Sequence, residues 1–271
     1  MSKLILKTKK IIQYSLDSKP VRSIRKKAYD QKFSNNQYLN LFRGVYQSFA
    51  DAEKASLDGQ KPASYDNKDS ASMYKDFATK LFPQDYPNLF WLQNKLSTVS
   101  SVYDFGGHIG VKYYSYKSKI DLPNNFKWFV HDLPAVMNEG RAFALKQGVQ
   151  DQLFFSETLK DIEKIDFLMA LGSLQYVDIS FHEILAPLSK KPNYILVSIP
   201  SSKKPTYYTV NSIGTAQCPY IIRNEDEFIQ SILKFNYKLV DRWDIPNKKC
   251  EIPFHDDYSL HSYTGYFFSL D

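Results

Sequence analysis

Val102-Tyr103-Asp104-Phe105-Gly106-Gly107-His108-Ile109-Gly110 is the stretch on which the reading of this 271-residue chain turns. A short run of β-branched and aromatic residues reads as a buried strand. It ends in an acid followed at once by glycines, which permit positive φ and a close approach of a ligand to the backbone. In open parallel sheets a ligand sits outside the carboxyl ends of the strands. The next apolar run, Lys127-Trp128-Phe129-Val130-His131-Asp132, also ends in an acid, placed to accept hydrogen bonds from ribose hydroxyls. Two strand-terminal acids around a glycine turn point to a nucleoside pocket; the plain alternative is a tight turn after a core strand.

Elimination narrows the nucleoside. A dinucleotide fingerprint needs glycines at its first, third and sixth positions, and with Gly107 and Gly110 in the last two the first falls on Phe105. A phosphate-cradling loop needs Ser or Thr after a Gly-Lys pair, whereas Gly110 is followed by Val111-Lys112-Tyr113. What remains is the acid-x-glycine pattern of S-adenosylmethionine sites, in which the loop backbone meets the methionine part. Asp104 and Gly106 fit it. His108 stands where a middle glycine is usual, and Gly107 takes the close-approach role.

Beyond this motif, Phe42-Arg43-Gly44-Val45-Tyr46, His131-Asp132-Leu133-Pro134 and Leu171-Gly172-Ser173-Leu174-Gln175-Tyr176 follow in order, then Cys218-Pro219-Tyr220, Ile252-Pro253-Phe254-His255 and Tyr263-Thr264-Gly265-Tyr266-Phe267-Phe268. This set resembles a family of bacterial methyltransferases found among genes for capsule and O-antigen polysaccharides, from about residue 38 to the C-terminus. The resemblance implies an α/β fold with the Rossmann-like sheet of class I methyltransferases, mostly parallel with an antiparallel last strand, and S-adenosylmethionine as cofactor. It implies less about the acceptor. In such a fold Asp104, Gly106, Gly107 and Gly110 would surround the methionine part. Asp132 would hold the ribose, Leu133 would lie against the adenine, and Ser156 and Glu157 would meet its amino group. Gly172, Ser173, Leu174 and Gln175 would face the transferred methyl. A capping role for Asp132 at the helix opened by Pro134 is the structural alternative.

From about residue 99 the pattern alternates strand and helix, as parallel α/β sheets do. Strands are expected at 101–105, 127–131, near 153–155, at 166–170 and at 194–199. A helix is expected over 225–235 with Asn224 as N-cap, followed by an antiparallel pair at 237–243 and 263–270. Residues 36–98 read as mostly helical, with apolar spacing over 48–55 and 71–82 and a polar loop between. The organisation expected is a basic arm (1–35), a helical cap (36–98) and the cofactor domain (99–271).

Methyl transfer to a hydroxyl calls for alignment, desolvation and a proton acceptor. Among the five histidines, His255 sits in a loop before the last strand and His108 inside the glycine turn; these two are the candidates, beside an aspartate or no side-chain base. His131 should point away from the ribose acid by strand alternation. The acids around His255 and His261 read as solvated, so no metal is expected. Tyrosine clusters at 113–116 and 207–208 suit stacking on a sugar, and equally suit half-burial against a core.

At 31.5 kDa the chain can bury a large core without disulfides, and its two cysteines have no metal-ligand spacing, which fits a reducing, cytoplasmic setting. No apolar run approaches the roughly 20 residues of a membrane span. Residues 1–32 hold ten Lys or Arg against two Asp, a net +8 that leaves −2 for the rest of the +6 chain. Such an arm is a solvated basic helix or a peripheral contact with the anionic inner membrane. Nucleic acid is excluded as a partner, because the body is slightly acidic and carries no base-reading module. The expected function is methylation of a hydroxyl, or a phosphate, on a surface polysaccharide or its lipid-linked precursor. A small-metabolite acceptor, or a non-catalytic binding or scaffold protein of the same fold, are the rivals.

Overall fold

The computed structural model describes residues 18–37, 39–57, 61, 64–66, 78–158, 162, 164–188 and 190–271. Its strands are β1 (Leu41–Tyr46), β2 (Ser101–Phe105), β3 (Lys127–His131), β4 (Leu153–Phe155), β5 (Phe167–Leu171), β6 (Tyr194–Ile199), β7 (Ser201–Ser202), β8 (Tyr207–Ser212), β9 (Gln217–Asn224), β10 (Tyr237–Ile245) and β11 (Tyr263–Leu270). Its helices are α1 (Lys19–Ser34), α2 (Phe49–Leu57), α3 (Tyr86–Lys95), α4 (Val111–Lys117), α5 (Pro134–Gln147), α6 (Phe181–Leu185) and α7 (Glu225–Leu233).

Seven strands form one sheet in the order β10-β11-β6-β5-β2-β3-β4. All neighbours are parallel except β11, which runs antiparallel to both β6 and β10. This is the class I methyltransferase sheet expected from the sequence. The chain builds outward from β2 in both directions, to β3 and β4 on one side and to β5 and β6 on the other. The carboxyl ends of β2 and β5 therefore flank a topological switch point, where the connections diverge and leave a crevice.

Alternation along β2 explains the layers. Val102 joins the cluster of Trp128, Val130, Tyr113 and Tyr116 on one face, while Tyr103 joins Leu168, Ile195 and Tyr266 on the other. Both faces are covered, as parallel strands require. Strand β5 starts one residue later than expected because Asp166 is held outside it: its Oδ2 accepts from the Ser100 N–H and hydroxyl, each at 2.8 Å. Asn224 does cap α7, accepting the Glu227 N–H at 2.9 Å.

The reading of 36–98 as mostly helical is corrected at Leu41–Tyr46. These residues form a strand that pairs antiparallel with β8, in a second sheet ordered β1-β8-β9-β7. Local pattern could not reveal it, since its partner lies far along the chain, in the insertion between β6 and α7. Helix α2 packs on β8 and β9 of this sheet. Helix α3 instead finishes the main core, where Trp91 stacks on Phe267 at 4.1 Å and its indole N–H donates to Asp241 at 2.9 Å. Most of the helix expected over 71–82 lies outside the described residues, as do residues 1–17 of the basic arm, whose remainder forms α1. Among the described residues no helix is long and apolar enough to cross a membrane.

Candidate functional site

The turn after β2 is shaped by backbone more than by side chains. The Gly106 N–H extends the parallel ladder by donating to the His131 carbonyl at 2.7 Å. The chain then turns through left-handed conformations at Gly106 (φ 72°), His108 (φ 57°) and Gly110 (φ 87°) before α4 begins. A histidine in that region costs about 1–2 kcal/mol unless its surroundings hold it. The holding group is Asp132, whose Oδ2 accepts the His108 N–H at 2.8 Å.

Asp132 ties the two strand tips together. Its Oδ1 accepts the Leu133 N–H at 2.8 Å, and the residue remains partly exposed, so each oxygen keeps acceptor capacity. It does not cap α5. The amide that a cap would take, Ala135 N–H, goes to Asp66 at 2.9 Å, from a loop laid over this edge.

Asp104, the other strand-terminal acid, lies differently. Its side chain is buried beneath the turn, with the Trp128 indole N–H donating at 3.3 Å. A Cβ on Gly107 would overlap its carboxyl group. Burial pushes its pKa up to about 7; the Trp128 hydrogen bond and Lys112 oppose the shift, and the charge of Asp132 adds to it.

The same test sorts the remaining glycines. A Cβ on Gly106 would collide with Ser173, and one on Gly110 would come within 2.8 Å of Leu153. At Gly106, Gly107 and Gly110 the side a Cβ would occupy is filled by the protein itself. Gly172 (φ 80°) is the exception: among the described residues, a Cβ there would meet within 4 Å just Gln175 Nε2, at 3.7 Å.

At the tip of β5 the Ser173 hydroxyl donates to the Phe105 carbonyl at 2.6 Å, joining the two loops across the switch point. Gln175 donates to the Gly172 carbonyl at 2.6 Å, and its buried Oε1 has no hydrogen-bond partner among the described residues. An unpartnered buried acceptor costs about 1–3 kcal/mol, so this oxygen marks a place suited to a donor from a ligand. Leu174 is buried. Leu133 packs with Ile109 and Val136.

Ser156 and Glu157 follow β4, beside the tip of β3. The Ser156 N–H donates to Val130 and its hydroxyl to Thr158, while its carbonyl meets His131 Nδ1 at 3.0 Å. Glu157 is exposed, with Arg141 at 3.9 Å. His131 stacks on Phe105 at 5.5 Å. The turn brings the His108 backbone to this edge. His255 is not brought here: it lines a separate cleft with Tyr29 of α1 and Arg43 of β1. Among the described residues no group of three or more His, Cys, Asp or Glu could hold a metal ion.

The second sheet roofs the β5 side; the sequence marks Phe42–Tyr46, Tyr207, Tyr208 and Cys218–Tyr220 but gives no sign that they form one sheet here. Tyr176 donates to Asn211 at 2.9 Å and meets the edges of Tyr220 at 5.1 Å and Tyr65 at 4.9 Å. Arg223 of β9 is mostly buried, with Asp178 near it but, among the described residues, no carboxylate in hydrogen-bond contact. Its guanidinium donates to the carbonyls of Leu174, Val177 and Ile179 at 3.1–3.3 Å, bracing the segment after β5. The only signal was a lone arginine closing the apolar run Tyr220-Ile221-Ile222.

No family model matches the sequence, and no curated protein matches it either. Among solved structures, an S-adenosylmethionine-dependent methyltransferase from Clostridium acetobutylicum is similar at 14% identity, covering 74% of this chain and 97% of that one, with a TM-score of 0.48. Geranyl diphosphate C-methyltransferase from Streptomyces coelicolor is similar at 12% identity over 89% of this chain and 96% of that one, with a TM-score of 0.48. The 1,6-didemethyltoxoflavin-N1-methyltransferase of Burkholderia thailandensis, solved with S-adenosylhomocysteine, is similar at 14% identity over 82% and 87%, with a TM-score of 0.46. The fold of this chain rests on its own strand order and directions, a mostly parallel α/β sheet of the class I methyltransferase kind.

Proposed function

We propose that this chain is an S-adenosylmethionine-dependent methyltransferase acting on a hydroxyl, or a phosphate oxygen, of a surface polysaccharide or its lipid-linked precursor. The observation that carries the donor half is Asp132, a partly exposed carboxylate fixed by the His108 and Leu133 amides at the switch point. In this reading its remaining lone pairs accept the ribose hydroxyls, and Leu133, Ser156 and Glu157 flank the adenine. Gln175 Oε1 takes the ammonium of the methionine part, with Gly172 giving room beside it. When bound, the donor supplies an electrophilic methyl group on a sulfonium. The protein's own residues hold the acceptor in line, exclude water through the roof and the Asp66 loop, and receive the hydroxyl proton. We assign that last role to the His108 imidazole, since His255 lines a different cleft.

The acceptor half is supported by the sequence resemblance and by the aromatic side chains of the roof, Tyr65 and Tyr176, which suit a sugar face. The basic arm is proposed to rest on anionic lipid at the cytoplasmic side of the inner membrane, where a lipid-linked precursor would be met.

Calorimetric titration with S-adenosylhomocysteine tests the donor half. Wild type is expected to bind and Asp132→Ala to lose at least about tenfold in affinity; no binding by wild type refutes the reading. Methyl-labelled donor with glycan extract, read by mass spectrometry, tests the acceptor half, and label found only on a small metabolite refutes the glycan.

A further inference from the structure

Helix α1, strand β1 and the loop after β10 enclose a cleft of about 350 Å³ that methyl transfer does not use. Arg43 and Lys26 line it, with Asp30 as its one lining carboxylate. Arg43 is held in place: its guanidinium lies over the Phe33 ring at 4.6 Å and donates to the Ala55 carbonyl at 3.2 Å. Behind the wall, Arg22 donates to the Phe254 carbonyl at 2.9 Å and Arg25 lies 5.7 Å from the Phe254 ring centre. Positive charge therefore dominates the cleft and its surroundings.

Backbone strain gives a second, independent sign. Phe254 has φ 69°, a left-handed conformation costly for a bulky side chain. It is kept there by Arg22 on its carbonyl and by the edge of the Tyr29 ring at 6.3 Å. The result presents an aromatic face beside the cations, with Tyr46 and the left-handed Gly44 on the opposite wall.

We propose that this cleft binds a phosphorylated sugar, Arg43 and Lys26 receiving the phosphate and Phe254 flanking the ring. Guanidinium and ammonium groups pair with phosphate through charge-assisted hydrogen bonds, and aromatic faces suit sugar rings. The volume lies at the small end of ligand pockets, which favours a hexose phosphate over a nucleotide. The inference is independent of the methyl donor.

His255 reports on the site. Burial, and after it the charges of Lys26 and Arg22, hold its imidazole below the usual range, with Asp256 opposing. Tyr29, Asp30 and Arg43 also line its cleft. A bound phosphate dianion offsets the two cations and raises the midpoint.

The test is an NMR titration of the His255 ring in the full chain, assigned with His255→Gln, with glucose 1-phosphate as probe and glucose as the uncharged control. The expected result is a rise of about one pH unit with saturating glucose 1-phosphate and none with glucose. Lys26→Gln, on an exposed helix face, is expected to weaken glucose 1-phosphate binding about tenfold while leaving S-adenosylhomocysteine affinity unchanged. Arg43→Gln is expected to weaken it further. A third arm uses vesicles of phosphatidylcholine and phosphatidylglycerol. Vesicle binding through α1 with no response of His255 to millimolar glucose 1-phosphate overturns the proposal, as does an equal response to glucose.

Discussion

Replacing Asp104 by Asn separates a carboxylate that supports the turn from one that serves a ligand. The wild-type side chain is buried, and its pKa is about 7 against 3.8 for the unperturbed group. The folded state therefore binds an extra proton between those values, and stability falls as pH rises through the window from about 4 to 7. Above it the full penalty is present, about 4 kcal/mol from a shift of about three units, an upper limit because relaxation and water entry reduce it. Between about pH 5 and pH 8 the linked change is roughly 2–3 kcal/mol. Asn keeps an acceptor for the Trp128 indole and removes the ionisation. Its melting temperature relative to wild type is expected to climb by roughly 4–10 °C over that range. Scanning calorimetry of both proteins at the two pH values gives the answer. Parallel pH profiles would refute the claim that this carboxyl group is buried and ionises only with cost.

Four further substitutions probe the same edge. Gly106→Ala forces a Cβ onto Ser173 at a positive φ and should destabilise by roughly 2–4 kcal/mol, whereas Gly172→Ala, also at a positive φ, makes only an ordinary contact with Gln175 and should cost about 1 kcal/mol, both read from urea midpoints. Equal costs would contradict the different surroundings assigned to the two turns. Arg223→Met leaves the carbonyls of Leu174, Val177 and Ile179 without their donor; limited proteolysis between 172 and 180 should accelerate at least several-fold, and an unchanged pattern would argue against bracing. Ser180→Ala removes the cap on Glu183 N–H and should cost about 1 kcal/mol, with no effect on S-adenosylhomocysteine affinity.

The main sheet was legible because its signals are local. Continuous apolar runs such as Tyr194–Ile199 mark strands buried on both faces, and Pro134 and Asn224 mark helix starts by their own chemistry. The position of Asp132 at a strand tip was legible for the same reason, since it stands at the end of one such run. Glycine identity alone could not say what approaches each glycine: Gly106 and Gly107 make room for Ser173 and Asp104, a fact set by packing across the switch point. The second sheet was hidden because the partner of Phe42 is Asn211, and a pairing at that separation leaves no periodic trace. His255 drew attention by residue type, while its surroundings depend on α1 and β1, which only the assembled fold brings beside it.

The roof has a consequence for synthesis. Leu41–Tyr46 leave the ribosome early but find their ladder only when Tyr207–Ser212 have been made, so a nascent chain carries an unsatisfied β edge through most of its translation. Polar and charged residues on the growing chain, Arg43 among them, are what stand between that edge and a stray neighbour.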